Sequence, residues 1–335
     1  MSVKAQVLSA LDAARGRYIS GQELADQLGV SRAAIWKAVT ALRADGTPIE
    51  AITNRGYALP HGADLLNADA ITALLAPAVA QAVQITVVDR LPGTNAALRT
   101  QATNGAPEGL VLIAQAQSAG RGRRGHSFFS PPGGLYLSIL LRPAFSTRQS
   151  PQITALAAVA AARAAEQLCG TPIQIKWVND LWKNGKKVCG ILTEMSASEG
   201  KAEYVVVGIG VNVHQTSFSE ELADKAISVD MALKEQDPFG AKRGDCKELT
   251  YRIWQEFALL YEAFCMTEDL SIVMEEYNRF LINRNAKVRV LDPNGEWEGI
   301  ARGIDESGKL LVETKEDLRQ VDSGEVSVRG VYGYV

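Results

Sequence analysis

The sequence predicts a multidomain protein of the α+β class, and three observations point there. The chain has 335 residues, more than one typical domain holds and enough for two or three. Apolar residues make up 47% and charged residues 22%, the ordinary mix of a globular protein with a sizeable core. The hydrophobic periodicity changes twice along the chain. Helical spacing dominates 1–62, strands and helices mix over 67–280, and short strands lie between close turn signals over 283–335.

Residues 1–62 read as helix, helix-turn-helix and hairpin. Val3, Val7, Leu8 and Leu11 recur at helical spacing. Ser20, with Glu23 three residues later, forms a capping box that opens a second helix, which carries Leu24 and Leu28 and stops at Gly29. Ser31 caps a third helix to about Arg43, with Ile35, Val39 and Leu42 on one face. Two short helices joined by a tight glycine-containing turn are the helix-turn-helix signature. After Gly46, apolar residues at 49–52 and 57–59 flank the polar tip Thr53-Asn54-Arg55-Gly56, a β-hairpin wing. The module is a winged helix-turn-helix, joined onward by a connector over 61–66.

Between 67 and 280, apolar β-rich runs over 84–89, 110–115, 135–141, 173–177, 188–195 and 202–213 predict the strands of a mixed sheet. Helices fit 94–103, 150–169, 245–264 and 268–280. Asn184-Gly185 suits a type I′ hairpin turn. Residues 283–335 hold short strands punctuated by Asp292-Pro293-Asn294-Gly295, Ser307-Gly308 and Ser323-Gly324, which predicts a small β-barrel.

Net charge is −3, so the whole chain is no electrostatic nucleic-acid binder. The charge is uneven, however. Residues 1–60 hold seven Lys/Arg against five Asp/Glu, and the remainder holds 28 against 33. A mildly basic module on an acidic body is compatible with local DNA binding. Cys169, Cys189, Cys246 and Cys265 are far apart with no CxxC pair, which argues against a disulfide framework or zinc site and fits the reducing cytoplasm. No signal-peptide h-region opens the chain, and the most apolar helix, near 155–168, is interrupted by Arg163 and Glu166. It is too short to span a bilayer, so no membrane partner is expected.

Four features carry chemistry. Gly120-Arg121-Gly122-Arg123-Arg124-Gly125-His126 spells G-x-G-x-x-G, but a dinucleotide fingerprint needs a helix directly after it. Here Ser127-Phe128-Phe129-Ser130-Pro131-Pro132-Gly133-Gly134 follows and cannot be helical. What remains is a flexible loop with three guanidinium groups. It can close over a polyphosphate or acyl phosphate through bidentate bonds, or it is a solvated basic surface loop. Lys176-Trp177-Val178-Asn179-Asp180 ends a strand, and its Asp180 can hold Mg²⁺, position a lysine, or simply form a turn. Lys187-Val188-Cys189-Gly190 enters the next strand, where a lysine is commonly solvent-exposed. Glycines in Gly208-Ile209-Gly210-Val211-Asn212 mark either close approach of a ligand or backbone, or a β-bulge.

Together and in this order, these features resemble the biotin–protein ligase family over nearly the whole chain. Gly93-Thr94-Asn95, Gln117, Gly120 to Gly125, Lys176 to Asp180, Lys187 to Gly190 and Gly208 to Asn212 fall at the family's motif positions. The Ser31-Arg32-Ala33-Ala34-Ile35 helix and the wing resemble its bifunctional subgroup, which also represses biotin-synthesis genes, and the last segment resembles its SH3-like C-terminal domain. Three positions depart from the pattern: Gly93 replaces the serine of S-T-N, Val178 the proline of KWPND, and His126 a common basic residue.

The resemblance implies a winged helix-turn-helix domain at 1–62, a biotin- and ATP-binding catalytic domain at 67–280 and an SH3-like domain at 283–335. It implies biotin and ATP as substrates, with Mg²⁺, and formation of biotinyl-5′-AMP before transfer of biotin to a lysine of an acceptor protein. Lys187, Arg123 and Asp180 would be catalytic, with Asp180 the candidate Mg²⁺ ligand. Gly93, Thr94, Asn95, Gln117, Arg121, Gly122, Arg123 and Lys187 would bind biotin. Gly120, Arg121, Arg123, Arg124 and Asn212 would bind ATP and the adenylate. Ser31, Arg32, Trp36, Lys37 and Arg55 would contact operator DNA, with a homodimer promoted by biotinyl-5′-AMP. Three alternatives stand beside this at the sequence level. They are a ligand-sensing regulator without catalysis, a lipoate-type ligase, and a ligase whose winged helix no longer binds DNA.

Overall fold

A computed structural model describes residues 2–44, 47–60, 63–240, 243–292, 295–322 and 327–330. Gly46, Pro293, Asn294, Ser323 and Gly324, which the sequence assigned to turns, lie outside the described residues. The chain divides into two compact units, Met1–Leu66 and Asn67–Val335.

The first unit holds α1 (Val3–Ala13), α2 (Gly21–Leu28), α3 (Arg32–Ala44) and the antiparallel pair β1 (Glu50–Ile52) and β2 (Gly56–Ala58). Ser20 Oγ accepts the Glu23 N–H at 3.0 Å, and Gly29 ends α2 at φ 66°. Ser31 Oγ accepts the Ala34 N–H at 3.2 Å. Val7, Leu11, Leu24, Ile35, Val39 and Leu42 close one core. The wing is tied back to the turn before α2, because Ile19 and Tyr57 exchange backbone bonds of 2.8 and 2.9 Å. Gly56 permits this at φ 103°, where a Cβ would stand 2.1 Å from the Ile19 carbonyl oxygen. This is the winged helix-turn-helix that the sequence predicts.

The second unit begins with α4 (Ala68–Thr72), α5 (Pro77–Ala82), β3 (Gln84–Leu91), α6 (Thr94–Thr103), β4 (Leu110–Gln117), β5 (Gly134–Leu141) and α7 (Ser150–Cys169). It continues through β6 (Gln174–Lys176), β7 (Asp180–Lys183), β8 (Lys186–Ser198), β9 (Lys201–Asn212), α8 (Val229–Gln236), α9 (Cys246–Thr267) and α10 (Met274–Phe280). Seven strands form one mixed sheet in the order β3-β4-β5-β9-β8-β7-β6, with β3 and β4 parallel and the other pairs antiparallel.

Register decides what each face carries. Ser138 pairs with Gly208, Tyr136 with Gly210, and Gly190 with Gly210, so these residues share a face. On that face α6 packs Leu98 and Ala102 against Leu112, Leu140 and Val206. α7 covers the other face, where Thr154 bonds Thr193 at 2.9 Å. Arg163 of α7 pairs with Glu256 of α9 at 2.9 Å and with Glu276 of α10.

The chain ends in β10 (Lys287–Asp292), β11 (Gly295–Ile304), β12 (Leu310–Glu313), β13 (Leu318–Val321) and β14 (Ser327–Gly330). They form a five-stranded antiparallel sheet in the order β13-β12-β11-β10-β14, bulged between Ala301 and Gly303, an arrangement consistent with an SH3-like barrel.

Two expectations need correction. The helix expected over 268–280 starts only at Met274. Glu268 is the left-handed cap of α9 at φ 57°, and Asp269 then accepts the Ser271 N–H at 2.9 Å, which holds a turn. The strand expected over 173–177 stops at Lys176, and Asp180 opens a separate strand, β7. Asn184 and Gly185 turn β7 into β8 with φ of 51° and 74°, as a type I′ turn requires. No helix among the described residues is long and apolar enough to cross a membrane.

Candidate active site

A cavity of about 590 Å³ opens on the α6 face of the mixed sheet. Its floor is Gly190, Leu192, Gly208, Gly210 and Tyr136; the N-terminus of α6 forms one wall and the loop from Arg121 to Phe128 another. Lys176, Trp177, Asn179, Asp180 and Lys187 line the far side, and Leu291 reaches it from the C-terminal sheet.

The floor is recessed because glycines build it. A Cβ on Gly208 would stand 2.1 Å from Asn95 Oδ1, and one on Gly210 would stand 2.6 Å from the Phe128 ring. Of the two readings left open for these glycines, close approach is the observed one: β9 runs in unbroken register past both.

A polar relay fixes the α6 wall. The Thr94 N–H donates to Gln117 Oε1 at 2.8 Å, and Gln117 Nε2 donates to Ser130 Oγ at 3.0 Å. Ser138 Oγ donates to Asn95 Oδ1 at 2.6 Å and lies 2.7 Å from Thr94 Oγ1. Asn95 Nδ2 spends its protons on the Leu192 carbonyl at 3.1 Å and on Glu194 Oε2 at 2.9 Å, and Arg99 pairs with Glu194 at 2.8 Å. Gly93 caps α6 without a side chain, and its position has room, since a Cβ there would meet only Ala119 O at 3.7 Å and Gln117 Oε1 at 3.8 Å.

The arginine-rich loop is a folded turn. The Gly122 N–H donates to the His126 carbonyl at 2.7 Å, and the His126 N–H donates back to Arg123 at 3.2 Å. Arg124 at φ 55° and Gly125 at φ 77° reverse the chain. Arg123 is half-buried and donates to Asn179 Oδ1 at 3.3 Å. Burial, then its neighbour Arg124, lowers its pKa, while Asp180 pulls the other way. Lys187 Nζ rests 2.7 Å from Asp180 Oδ1 and 5.6 Å from the Phe128 ring centre. The lining holds six basic side chains against two carboxylates, so the cavity attracts anions.

Of the residues singled out from sequence, Gly93, Thr94, Asn95, Gln117, Arg121, Gly122, Arg123, Arg124, Asp180 and Lys187 line this one cavity. Gly120 and Asn212 do not. Gly120 is pressed against the chain, where a Cβ would stand 2.5 Å from the Phe128 carbonyl, and Asn212 is buried with its amide donating to Ile227 O at 3.3 Å. Ser31, Arg32, Trp36, Lys37 and Arg55 are exposed on the first unit, Trp36 at 64%. Sequence reasoning missed Ser138, Phe128 and Glu194. Only Ser138 left a trace, as a polar residue inside an apolar strand.

Residues 3–58 match the HTH domain family, 87–212 the biotin/lipoate A/B protein ligase family, and 285–329 the biotin protein ligase C-terminal domain. The chain is 34% identical over 333 residues to the bifunctional ligase/repressor BirA of Bacillus subtilis, covering 98% of this chain and 99% of that protein. It belongs to the biotin protein ligase family. The bifunctional ligase/repressor BirA of Escherichia coli is 31% identical over 319 residues, 94% of each chain. Among solved structures, the biotin protein ligase of Aquifex aeolicus in complex with biotin and ATP superposes at a TM-score of 0.63 with 28% identity, over 74% of this chain and 99% of that one.

In this ligase fold the C-terminal part of the second unit clamps the segment that carries Asn179 and Asp180. The Tyr277 hydroxyl donates to the Val178 carbonyl at 3.2 Å, the Trp177 indole donates to Gly308 O at 3.2 Å, and the Ile282 N–H donates to Ile175 O at 2.9 Å. Tyr277→Phe leaves the buried Val178 carbonyl without its donor, which costs about 1–3 kcal/mol. The denaturation midpoint, followed by tryptophan fluorescence, should fall accordingly. An unchanged midpoint would show that the bond carries no stability.

Proposed function

We propose that this chain is an ATP-dependent biotin–protein ligase that doubles as a biotin-responsive repressor of biotin genes. One observation carries the reading: a cation-rich cavity, with Lys187 seated on Asp180, lies in a chain that also bears an exposed winged helix and matches bifunctional relatives end to end. The working division is a DNA-binding domain at 1–62, a catalytic domain at 67–280 and an SH3-like domain at 283–335, in a cytoplasmic protein.

The ureido ring of biotin faces Thr94, Asn95 and Gln117, beside the backbone of Gly93. Asn95 has given both amide protons away, so it serves as an acceptor, whereas Gln117 keeps one proton after Ser130. The biotin carboxylate lies toward Lys187, with Arg121, Gly122 and Arg123 around it. A carboxylate oxygen attacks the α-phosphorus of ATP, the bond to the β-phosphate oxygen breaks, and pyrophosphate leaves biotinyl-5′-AMP behind. An acceptor lysine amine then attacks the acyl carbon, AMP departs, and the amine proton passes to solvent. Both steps gather negative charge, and preorganised cations stabilise it: Lys187 and Arg123 at the reacting centre, Arg121 and Arg124 on the phosphate. Asp180 aims Lys187.

The two cavity carboxylates do not make a resident Mg²⁺ site. Asp180 is paired with Lys187, and Glu194 with Arg99 and Asn95. Mg²⁺ enters with the ATP phosphates as part of the substrate.

Labelled biotin, ATP and Mg²⁺ should give adenylate alone and protein-bound label when a biotin-acceptor domain is added. Pyrophosphate release with lipoate but not with biotin would overturn the reading. Lys187→Ala should slow adenylation on the order of 10²–10³-fold, the effect of losing one preorganised charge contact. Near-normal rates would make Lys187 a surface residue.

The repressor half rests on α3, which presents Arg32, Trp36 and Lys37 to solvent from a unit with its own core. Arg32→Ala or Lys37→Ala should weaken binding to operator DNA and leave ligation intact; equal loss of both activities would refute separate domains. One winged helix makes few contacts, so a homodimer reading two half-sites is needed. Biotinyl-5′-AMP promotes that dimer by ordering the arginine loop. Sedimentation with a non-hydrolysable analogue should shift the chain toward dimer, and tight analogue binding without that shift would end the coupling idea.

A further inference from the structure

Away from the catalytic cavity, the first unit carries a second hollow, lined by Arg15, Gly16, Arg17, Tyr18 and Arg55. It lies between the turn before α2 and the wing. The Gly16 N–H donates to Leu59 O at 2.7 Å, which fixes the turn against the end of the wing. Arg15 is wall: its Nε bonds Asp12 at 2.5 Å and another guanidinium nitrogen donates to Ala63 O at 2.9 Å. Arg55 is held in place, its guanidinium stacked 4.5 Å above the Tyr18 ring, and the Tyr18 hydroxyl bonds Glu50. Stacking fixes the plane of the guanidinium and leaves its N–H edges for an anion. Arg17 faces Glu23 at 3.7 Å, with both side chains more than half exposed. A solvated pair at that distance contributes little, so Arg17 can leave it for a better acceptor.

We propose that this hollow seats one backbone phosphate of duplex DNA, gripped by Arg17 and Arg55. The inference rests on the DNA-binding reading of the winged helix and assigns Arg17 and Arg55 affinity without sequence preference. In helix-turn-helix docking, the first helix of the motif crosses the DNA backbone while the recognition helix enters the major groove. The hollow adjoins the start of that first helix, α2, which Ser20 caps. A phosphate there would complete the guanidinium forks of two arginines bidentately. Arg55, expected only as a DNA contact on the wing, thereby becomes a phosphate anchor.

The test is salt dependence. The full chain, with biotin and ATP present, is titrated into two unrelated mixed-sequence duplexes at several KCl concentrations, and anisotropy gives the binding constant. Arg17→Ala and Arg55→Ala should each weaken binding, and the double variant should lower the slope of log K against log salt by about 0.9 per bound protomer, one phosphate's share. Both duplexes should lose affinity equally. Arg17→Lys keeps the charge and should keep the slope. Wild-type affinity and slope in the double alanine variant would overturn the phosphate seat and leave the DNA reading standing, as would loss on one duplex only. A wild-type chain that binds neither duplex at low salt would instead remove the DNA reading, and this inference with it.

Discussion

On one face of the mixed sheet, Gly190, Gly208 and Gly210 leave a depression that side chains from α6, the arginine loop and the start of β8 fill. Asn95 descends from α6 onto Gly208, the Phe128 ring from the loop onto Gly210, and the Lys187 ammonium onto Gly190, where a Cβ would stand 3.0 Å away. The helix, the loop and the lysine converge because none meets a side chain beneath it. Asn95 then ties α6 to β8 through Leu192 and Glu194, and Ser138 ties it to β5. The Phe128 ring, set edge-on to Tyr136 with centroids 6.4 Å apart, anchors the end of the loop whose arginines overhang the cavity. Packing thus places the polar groups, and the polar groups lock the packing.

The charged side of the site depends on a second set of contacts. Asn179 is held through its backbone and its amide, both bonded to Ile191 at 2.9 Å, and its Oδ1 accepts from Arg123. Asp180 follows it and pairs with Lys187. Tyr277, Gly308 and Ile282 grip the same segment, so the C-terminal part of the second unit helps set the position of that pair. The Arg163 pairs with Glu256 and Glu276 hold α9 and α10 against α7 and steady that support.

Local signals were the legible part of the fold. Ser20, Gly29 and Ser31 marked α2 and α3 because capping is local chemistry, and Asn184-Gly185 marked a turn for the same reason. The helix over 268–280 was misplaced because its residues are apolar at helical spacing, whereas the Asp269–Ser271 turn that delays it is a side-chain bond no periodicity reports. At the site, Gly208 and Gly210 announced close approach without saying of what. Lys187 and Asp180 each read as an ordinary strand-end residue, and only the β7–β8 hairpin brings them to 2.7 Å. Tyr277 was illegible, since a buried tyrosine in a helix looks like core until its hydroxyl is seen on Val178. Asn212 shows the converse: it sits in a motif and ends on β9, yet its side chain turns to Ile227.

Charge balance links the chemistry to the loop. Arg123 is half-buried beside Arg124, and its lowered pKa records the cost of keeping a cation there with another nearby. An anion between them offsets the desolvation cost and the repulsion together, so on the proposed reading the site favours its adenylate partly by neutralising its own excess charge. The turn from Gly122 to His126 is closed by two backbone bonds, and Gly125 bridges it at positive φ. A ligand therefore has no long coil to fold and needs only to settle a short turn whose charges oppose one another. Anion binding and loop order are then two descriptions of one equilibrium, and any surface that uses the ordered loop is coupled to the chemistry beneath it.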